Sequence, residues 1–229
     1  MKPQQSTRWT TPVVEVVSTA TGSAHRDDPV SPGTGGPAGN ARLTAWLGLV
    51  LLVLFIVEVL TLISLDATIS IHVLVGAALV PLVLLKTATT GWRILRYYFG
   101  SVDYRTAGPP PLLLRLLGPL VVLTSLAVLG SGLALIALGD TARSSKLTIG
   151  GFTMDAVGLH KVSFVVWLVV TGLHALLRLV PAAKLVGSSP AGRDRVPGGT
   201  RRAWLLSGTA ALAVAVGVVV LSFAGAWTD

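Results

Sequence analysis

Three histidines and a lysine stand inside stretches that are otherwise almost wholly apolar. His160 and His174 lie in LHKVSFVVWLVVTGLHALLRL, Leu159 to Leu179, fourteen residues apart. His72 lies in an earlier apolar run and is followed, again fourteen residues on, by Lys86. On an α-helix fourteen residues turn through ~1400°, about 40° short of four full turns, and rise ~21 Å. Each pair therefore leaves its helix on nearly one side, at two depths. A neutral imidazole offers a ring nitrogen to a metal and exchanges protons near neutral pH. Lysine offers a cation or, once deprotonated, an amine. Ionisable groups are costly in hydrocarbon, so a membrane helix that keeps one marks a functional site by default. The competing reading is structural, since a lone membrane histidine commonly bonds one helix to another. Three of them at matched depth and on similar faces favour the first reading.

The elements that must position these groups follow from composition. Of 229 residues, 52% are hydrophobic and 12% charged, against roughly a quarter charged in a soluble domain. Mean hydropathy is +0.74. This fits an all-α, polytopic membrane helical bundle. There is no cysteine, which excludes disulfides, thiolate metal sites, iron–sulfur clusters and covalent haem attachment through CxxCH. The net charge of +8 does not indicate a nucleic-acid partner, because the basic residues fall in short segments beside apolar runs, as membrane topology requires. The bias to Ala, Val, Leu, Gly and Arg points to a high-GC bacterial source, and so to a bacterial cell (inner) membrane.

About 20 apolar residues cross the ~30 Å hydrocarbon layer, and the sequence predicts about five spans: Thr44–Leu65, Ser70–Tyr97, Leu112–Leu138, Val157–Val180 and Trp204–Trp227. Residues 1–42, rich in Ser, Thr, Pro and Gly, read as a disordered tail in which His25 is solvated. Residues 43–181 form a four-helix core closed by Pro181, residues 182–203 a flexible loop, and residues 204–229 the fifth span. The Gly139–Val157 stretch is polar and falls outside the bilayer. Basic residues alternate between connections. Lys2, Arg8, Arg26 and Arg42 precede the first span, Arg93, Arg96, Arg105 and Arg115 surround the second connection, and Arg178, Lys184, Arg193, Arg195, Arg201 and Arg202 surround the fourth. The first connection has none, and in the third Arg143 and Lys146 are offset by Asp140 and Asp155. The N-terminus is therefore cytoplasmic and the C-terminus extracytoplasmic.

Under that topology the second and fourth spans run parallel. His72 and His160 share an outer depth, Lys86 and His174 an inner one. Matched depth is what two axial ligands of one haem need, and with no thiolate the haem must be a non-covalent b type. Two imidazoles close the iron's coordination, which suits electron transfer. Gly76, one turn from His72 on the same face, leaves room for a flat macrocycle. Glu58 in the first span is a proton carrier, a partner for a nearby cation such as Lys161, or a structural hydrogen bond. Trp167, midway between His160 and His174, lies beside an electron path or in the core. In the last span Gly208, Ala211 and Ala215 suit close helix packing.

The paired fourteen-residue spacing on two parallel helices resembles the di-haem cytochrome b bundles of bacterial and respiratory membranes. The resemblance covers about Thr44 to Pro181. The segments LKTATTGWRILRYY, GPPPLLLRLLGP and LHKVSFVVWLVVTGLH also resemble a family of actinobacterial cytochrome b-like integral membrane proteins, a likeness that brings no substrate with it. The resemblance implies a shared fold with one or two haems, His72 and His160 holding the outer one and His174 the inner. Lys86 stands where the pattern expects histidine: it ligates iron as a neutral amine, pairs with a haem propionate, or snorkels to the surface of a bundle lacking the inner haem. Partners would be the lipid bilayer and a redox protein or quinone. No soluble domain is present to hold a nicotinamide or flavin, so a reductase activity would need a second chain. The alternative is a non-haem membrane module, a proton-coupled carrier or an assembly subunit, in which His, Lys and Glu form buried polar pairs.

Overall fold

A computed structural model describes residues 12–23, 28–188 and 195–228. In order the elements are α1 (Pro12–Ala20), α2 (Gly36–Thr61), a 3₁₀ turn (Leu62–Ser64), α3 (Leu65–Tyr98), α4 (Val102–Thr106), α5 (Leu112–Leu138), a second 3₁₀ turn (Gly139–Arg143), β1 (Lys146–Ile149), β2 (Phe152–Asp155), α6 (Ala156–Gly187), α7 (Gly199–Leu221) and α8 (Gly225–Thr228). Expectations for His25, Lys2, Arg8, Arg26 and Arg193 lie outside the described residues.

Four helical stretches are long and apolar enough to cross a membrane: Gly36–Tyr98, Leu112–Arg143, Ala156–Gly187 and Gly199–Leu221. The chain is thus mostly helical and fits a multi-pass membrane protein. The first stretch, 63 residues long, doubles back at Leu62–Ser64. Near its two ends Asn40 donates to the Thr89 carbonyl at 3.0 Å, and at the turn Thr61 meets His72. The reversal comes earlier than the expected Asp66–Ile69 connection. Asp66 instead sits in the first turn of α3, where a carboxylate complements the unpaired N–H groups.

Four helices close a ring: α2 packs on α3, α3 on α5, α5 on α6, and α6 on α2. The helices carrying His72 and His160, α3 and α6, therefore occupy opposite corners and face each other across the ring. α7 packs on α3 from outside. The half of the ring nearer the start of α2 is filled by one apolar cluster: Leu43, Leu47 and Leu51 at helical spacing on α2, Leu79, Leu82 and Val83 on α3, and Ala213 on α7.

Several local features differ from expectation. A helix, α1, lies within the stretch read as disordered: VVEVV is locally apolar although its surroundings are not. Pro181 does not close the fourth span, because α6 runs on to Gly187. The proline forfeits one backbone bond near the end of a long span, where water can satisfy the freed carbonyl. In α7 the packing face is carried by Ala213 and Gly217, while Gly208, Ala211 and Ala215 are exposed. Every face of that helix has small residues, so composition could not choose between them. The polar third connection holds a small antiparallel hairpin pairing Lys146 with Asp155 and Ile149 with Phe152. Its two-residue turn has Gly150 at φ 57° and Gly151 at φ 87°, a conformation that demands glycine-like residues. The hairpin delivers Asp155 to the N-cap of α6, where its carboxylate accepts from Gly158 N at 2.7 Å. This cap sets the start of the helix one turn before His160.

Candidate functional site

His72 and His160 meet across the ring, their centroids 6.4 Å apart and their planes at 80°. Each ring is held from behind. Thr61 Oγ1 donates its single proton to the Glu58 carbonyl at 2.6 Å. The same hydroxyl lies 2.9 Å from His72 Nδ1, within hydrogen-bond distance. Glu58 Oε1 lies 3.1 Å from the same nitrogen. The other ring is held in the same way: Ser131 Oγ donates to the Val128 carbonyl at 3.0 Å and lies 3.0 Å from His160 Nδ1. Among the described residues no side-chain hydrogen bond reaches Nε2 of either ring.

The two rings line a cavity of about 670 Å³, within the range of small-molecule and cofactor sites. Its floor is Trp167, only 5% exposed. The indole donates to Ser125 Oγ at 3.1 Å and packs edge-on against Phe55 at 4.7 Å; this is a core position. At the other end the cavity is bordered by Asp66, Arg143, Lys161 and Trp227. Trp227 in α8 donates to the Leu135 carbonyl at 3.0 Å and lies under the Arg143 guanidinium, 6.0 Å from ring centre to carbon. The C-terminal turn thus folds over the cavity mouth.

Two glycines shape this space. A Cβ at Gly132 would lie 3.2 Å from His160 Cε1, so the missing side chain lets the ring sit close against α5. Gly76 lines the cavity, but the room expected beside it for a macrocycle is taken by the Glu58 carboxyl, 3.0 Å from where a Cβ would be. Glu58 does not pair with Lys161, which is exposed. Its partner is His72, and its Oε2 is buried without a hydrogen bond. Thr61, Ser131, Gly132 and Trp227 were not singled out from sequence as site residues. Thr61 is eleven residues before His72 and Ser131 twenty-nine before His160, spacings set by how helices pack. The Gly130-Ser131-Gly132 triplet was the one available signal.

The inner pair is arranged differently. Lys86 Nζ donates to the Thr44 carbonyl at 3.0 Å and lies 2.9 Å from a Cβ placed at Gly48. It is turned onto the backbone of α2, beside the packed leucines. His174 Nδ1 and Thr171 Oγ1 are buried without partners among the described residues. The structure does not join Lys86 and His174 by a hydrogen bond.

The spacing of the two outer rings is that of two ligands of one metal. A histidine nitrogen binds a metal at ~2 Å and each ring centre lies ~1 Å behind its nitrogen, so two opposed rings sharing one metal sit with centres roughly 6 Å apart. Metal-bound histidines regularly donate the other ring N–H to an oxygen that fixes their tautomer, and here a hydroxyl oxygen lies beside Nδ1 of each ring. Among the described residues no group of three or more His, Asp or Glu side chains is placed to hold a metal ion; axial ligation of a haem needs only two. No known protein family, curated protein or solved structure matches the chain.

Proposed function

We propose that this chain is a b-type cytochrome of a bacterial cell membrane, with one haem held between His72 and His160. The observation that carries this reading is the pair of imidazoles that line one cavity from opposite corners of the ring, their centres 6.4 Å apart and each with a hydroxyl beside its Nδ1. His72 and His160 would hold the haem, which would supply reversible one-electron exchange. The chain's own groups do the rest. Thr61 and Ser131 hold the ligands in register, Gly132 makes room for the ring, Trp167 closes the floor, and Trp227 with Arg143 covers the mouth. The α2–α3 hairpin makes two crossings, giving five in all. The basic connections face the cytoplasm, the C-terminus lies outside, and a redox protein or quinone is the electron partner. The inner pair holds no second haem in this reading, because Lys86 is committed to Thr44.

The deciding experiment is haem content and the reduced-minus-oxidised spectrum of chain purified from haem-replete cells. One b-type haem per chain is expected, lost in His72→Ala and His160→Ala. A folded, colourless wild-type chain would leave the second reading, a proton-coupled carrier. That reading is favoured by one observation, the buried Glu58 carboxyl placed against His72.

A further inference from the structure

The α1 helix carries an apolar face that no described part of the chain covers. Val13, Val14 and Val17 are 70%, 52% and 54% exposed and project within a ~100° sector of the helix. Thr19, the buried residue of α1 at 7%, projects from the opposite side. The hydroxyls of Ser18, Thr19 and Thr21 are turned back onto the carbonyls of Glu15 and Val17, so they do not break the valine face with unpaired polar groups.

The place where α1 is held fixes its depth. It packs on α6, and Gly22, just beyond it, sits where a Cβ would lie 3.5 Å from Pro181 Cα and 3.1 Å from Lys184 Cδ. Lys184 Nζ donates to the Thr21 carbonyl at 2.9 Å, where the last carbonyls of a helix lack partners of their own. α6 has 32 residues, ~48 Å at the α-helical rise, against a hydrocarbon layer of ~30 Å. Counted from its capped start at Asp155, its last two turns project into the headgroup layer, and α1 is fastened there. The surroundings are mainly cationic: Arg42 donates to the Ser188 carbonyl and hydroxyl, and Arg178 lies at the same end of α6 beside Arg93, which is paired with Asp28 at 3.6 Å. Exposed Leu176, Leu179 and Val180 continue the apolar surface of α6 towards this point. A short helix with one apolar face, ringed by cations at headgroup depth, has the features of an interfacial anchor.

We infer that α1 lies in the headgroup layer at the basic end of the bundle, with Val13, Val14 and Val17 among the upper acyl chains and Lys184 and Arg42 beside anionic lipid headgroups. This goes beyond the haem reading and does not depend on it. The chain has no cysteine, so single cysteines report cleanly. Val14→Cys, Val17→Cys and Glu15→Cys would each be labelled with an environment-sensitive fluorophore in the full chain, reconstituted in phosphatidylglycerol–phosphatidylcholine vesicles with or without headgroup-proximal spin-labelled lipid. Positions 14 and 17 are expected to emit blue-shifted light and be quenched several-fold more than position 15, with the blue shift smaller in phosphatidylcholine alone. Water-like emission and equal quenching at all three positions would overturn the proposal. So would a blue shift without lipid quenching, which would mean that protein covers the face. Repeating the set in His160→Ala separates the result from haem binding, since the same pattern is expected in a colourless chain.

Discussion

His160 Nδ1 lies 3.0 Å from Ser131 Oγ across the α5–α6 contact, and the Ser131 hydroxyl donates to the carbonyl of Val128. Thr61 stands in the same relation to His72 from α2. Two hydroxyls on two different helices are therefore placed beside Nδ1 of the two imidazoles. Neutral histidine exists as either tautomer at little cost, and only one of them presents the more extended nitrogen, Nε2, as a ligand.

Ser131→Ala and Thr61→Ala should each weaken haem retention without abolishing it, because outer partners of a metal-bound histidine typically contribute 10–100-fold in affinity. Transfer of haem to an apoglobin measures this directly. Retention unchanged in both variants would mean that the hydroxyls do not hold the ligands.

Gly132 and Gly130 differ in surroundings, and valine at each should behave differently. At Gly132 the first added carbon already stands 3.2 Å from His160 Cε1, whereas at Gly130 nothing lies within 4 Å. Gly132→Val should displace the imidazole and remove most of the pigment; Gly130→Val should keep it. Haem per chain, read beside the helical circular dichroism of both variants, checks this.

Much of the fold was legible because membrane spans are written in long apolar runs. The runs around His72 and His160 appear as α3 and α6, and the fourteen-residue spacing placed two ionisable groups on each. The sequence could not say which neighbour each group would choose. Glu58 was open to Lys161, yet the α2–α3 turn brings it to His72. Lys86 had three possible roles, and the contact observed, to the Thr44 carbonyl, is none of them; it depends on Gly48 leaving space on α2. Ring order is tertiary information too: nothing in the spacing of His72 and His160 sets α3 diagonal to α6. The α7 packing face was misread for a related reason, since a helix made of Ala, Gly and Val shows no contrast between its faces.

That misreading supplies a test of the α3–α7 contact. A Cβ at Gly217 would lie 2.8 Å from the carbonyl oxygen of Leu74, a backbone atom with little room to move, while Gly208 has nothing within 4 Å. Gly217→Ala should lower thermal stability by several degrees through separation of α7 from α3, at a cost of about 1–3 kcal/mol for overpacking. Gly208→Ala should be neutral or slightly stabilising, as helix propensity favours alanine over glycine. Thermal unfolding in detergent, followed by circular dichroism, distinguishes them; equal shifts would mean that α7 does not pack on α3 in this register.

The proposed single haem rests on the placement of Lys86. If it were an iron ligand or a propionate partner, removing its amine would remove or perturb a haem. Its Nζ instead donates to Thr44 in the half of the ring filled by Leu43, Leu47, Leu51, Leu82 and Val83. Lys86→Met keeps the length of the side chain and removes a half-buried amine, whose desolvation is costly. The variant should hold one haem with an unaltered spectrum and unfold at the wild-type temperature or a few degrees above it. His174→Ala should likewise leave haem content unchanged, because His174 has no partner that would complete a second site. A wild-type chain carrying two haems, with one lost in either variant, would overturn the single-site arrangement and make Lys86 and His174 ligands despite the contact with Thr44.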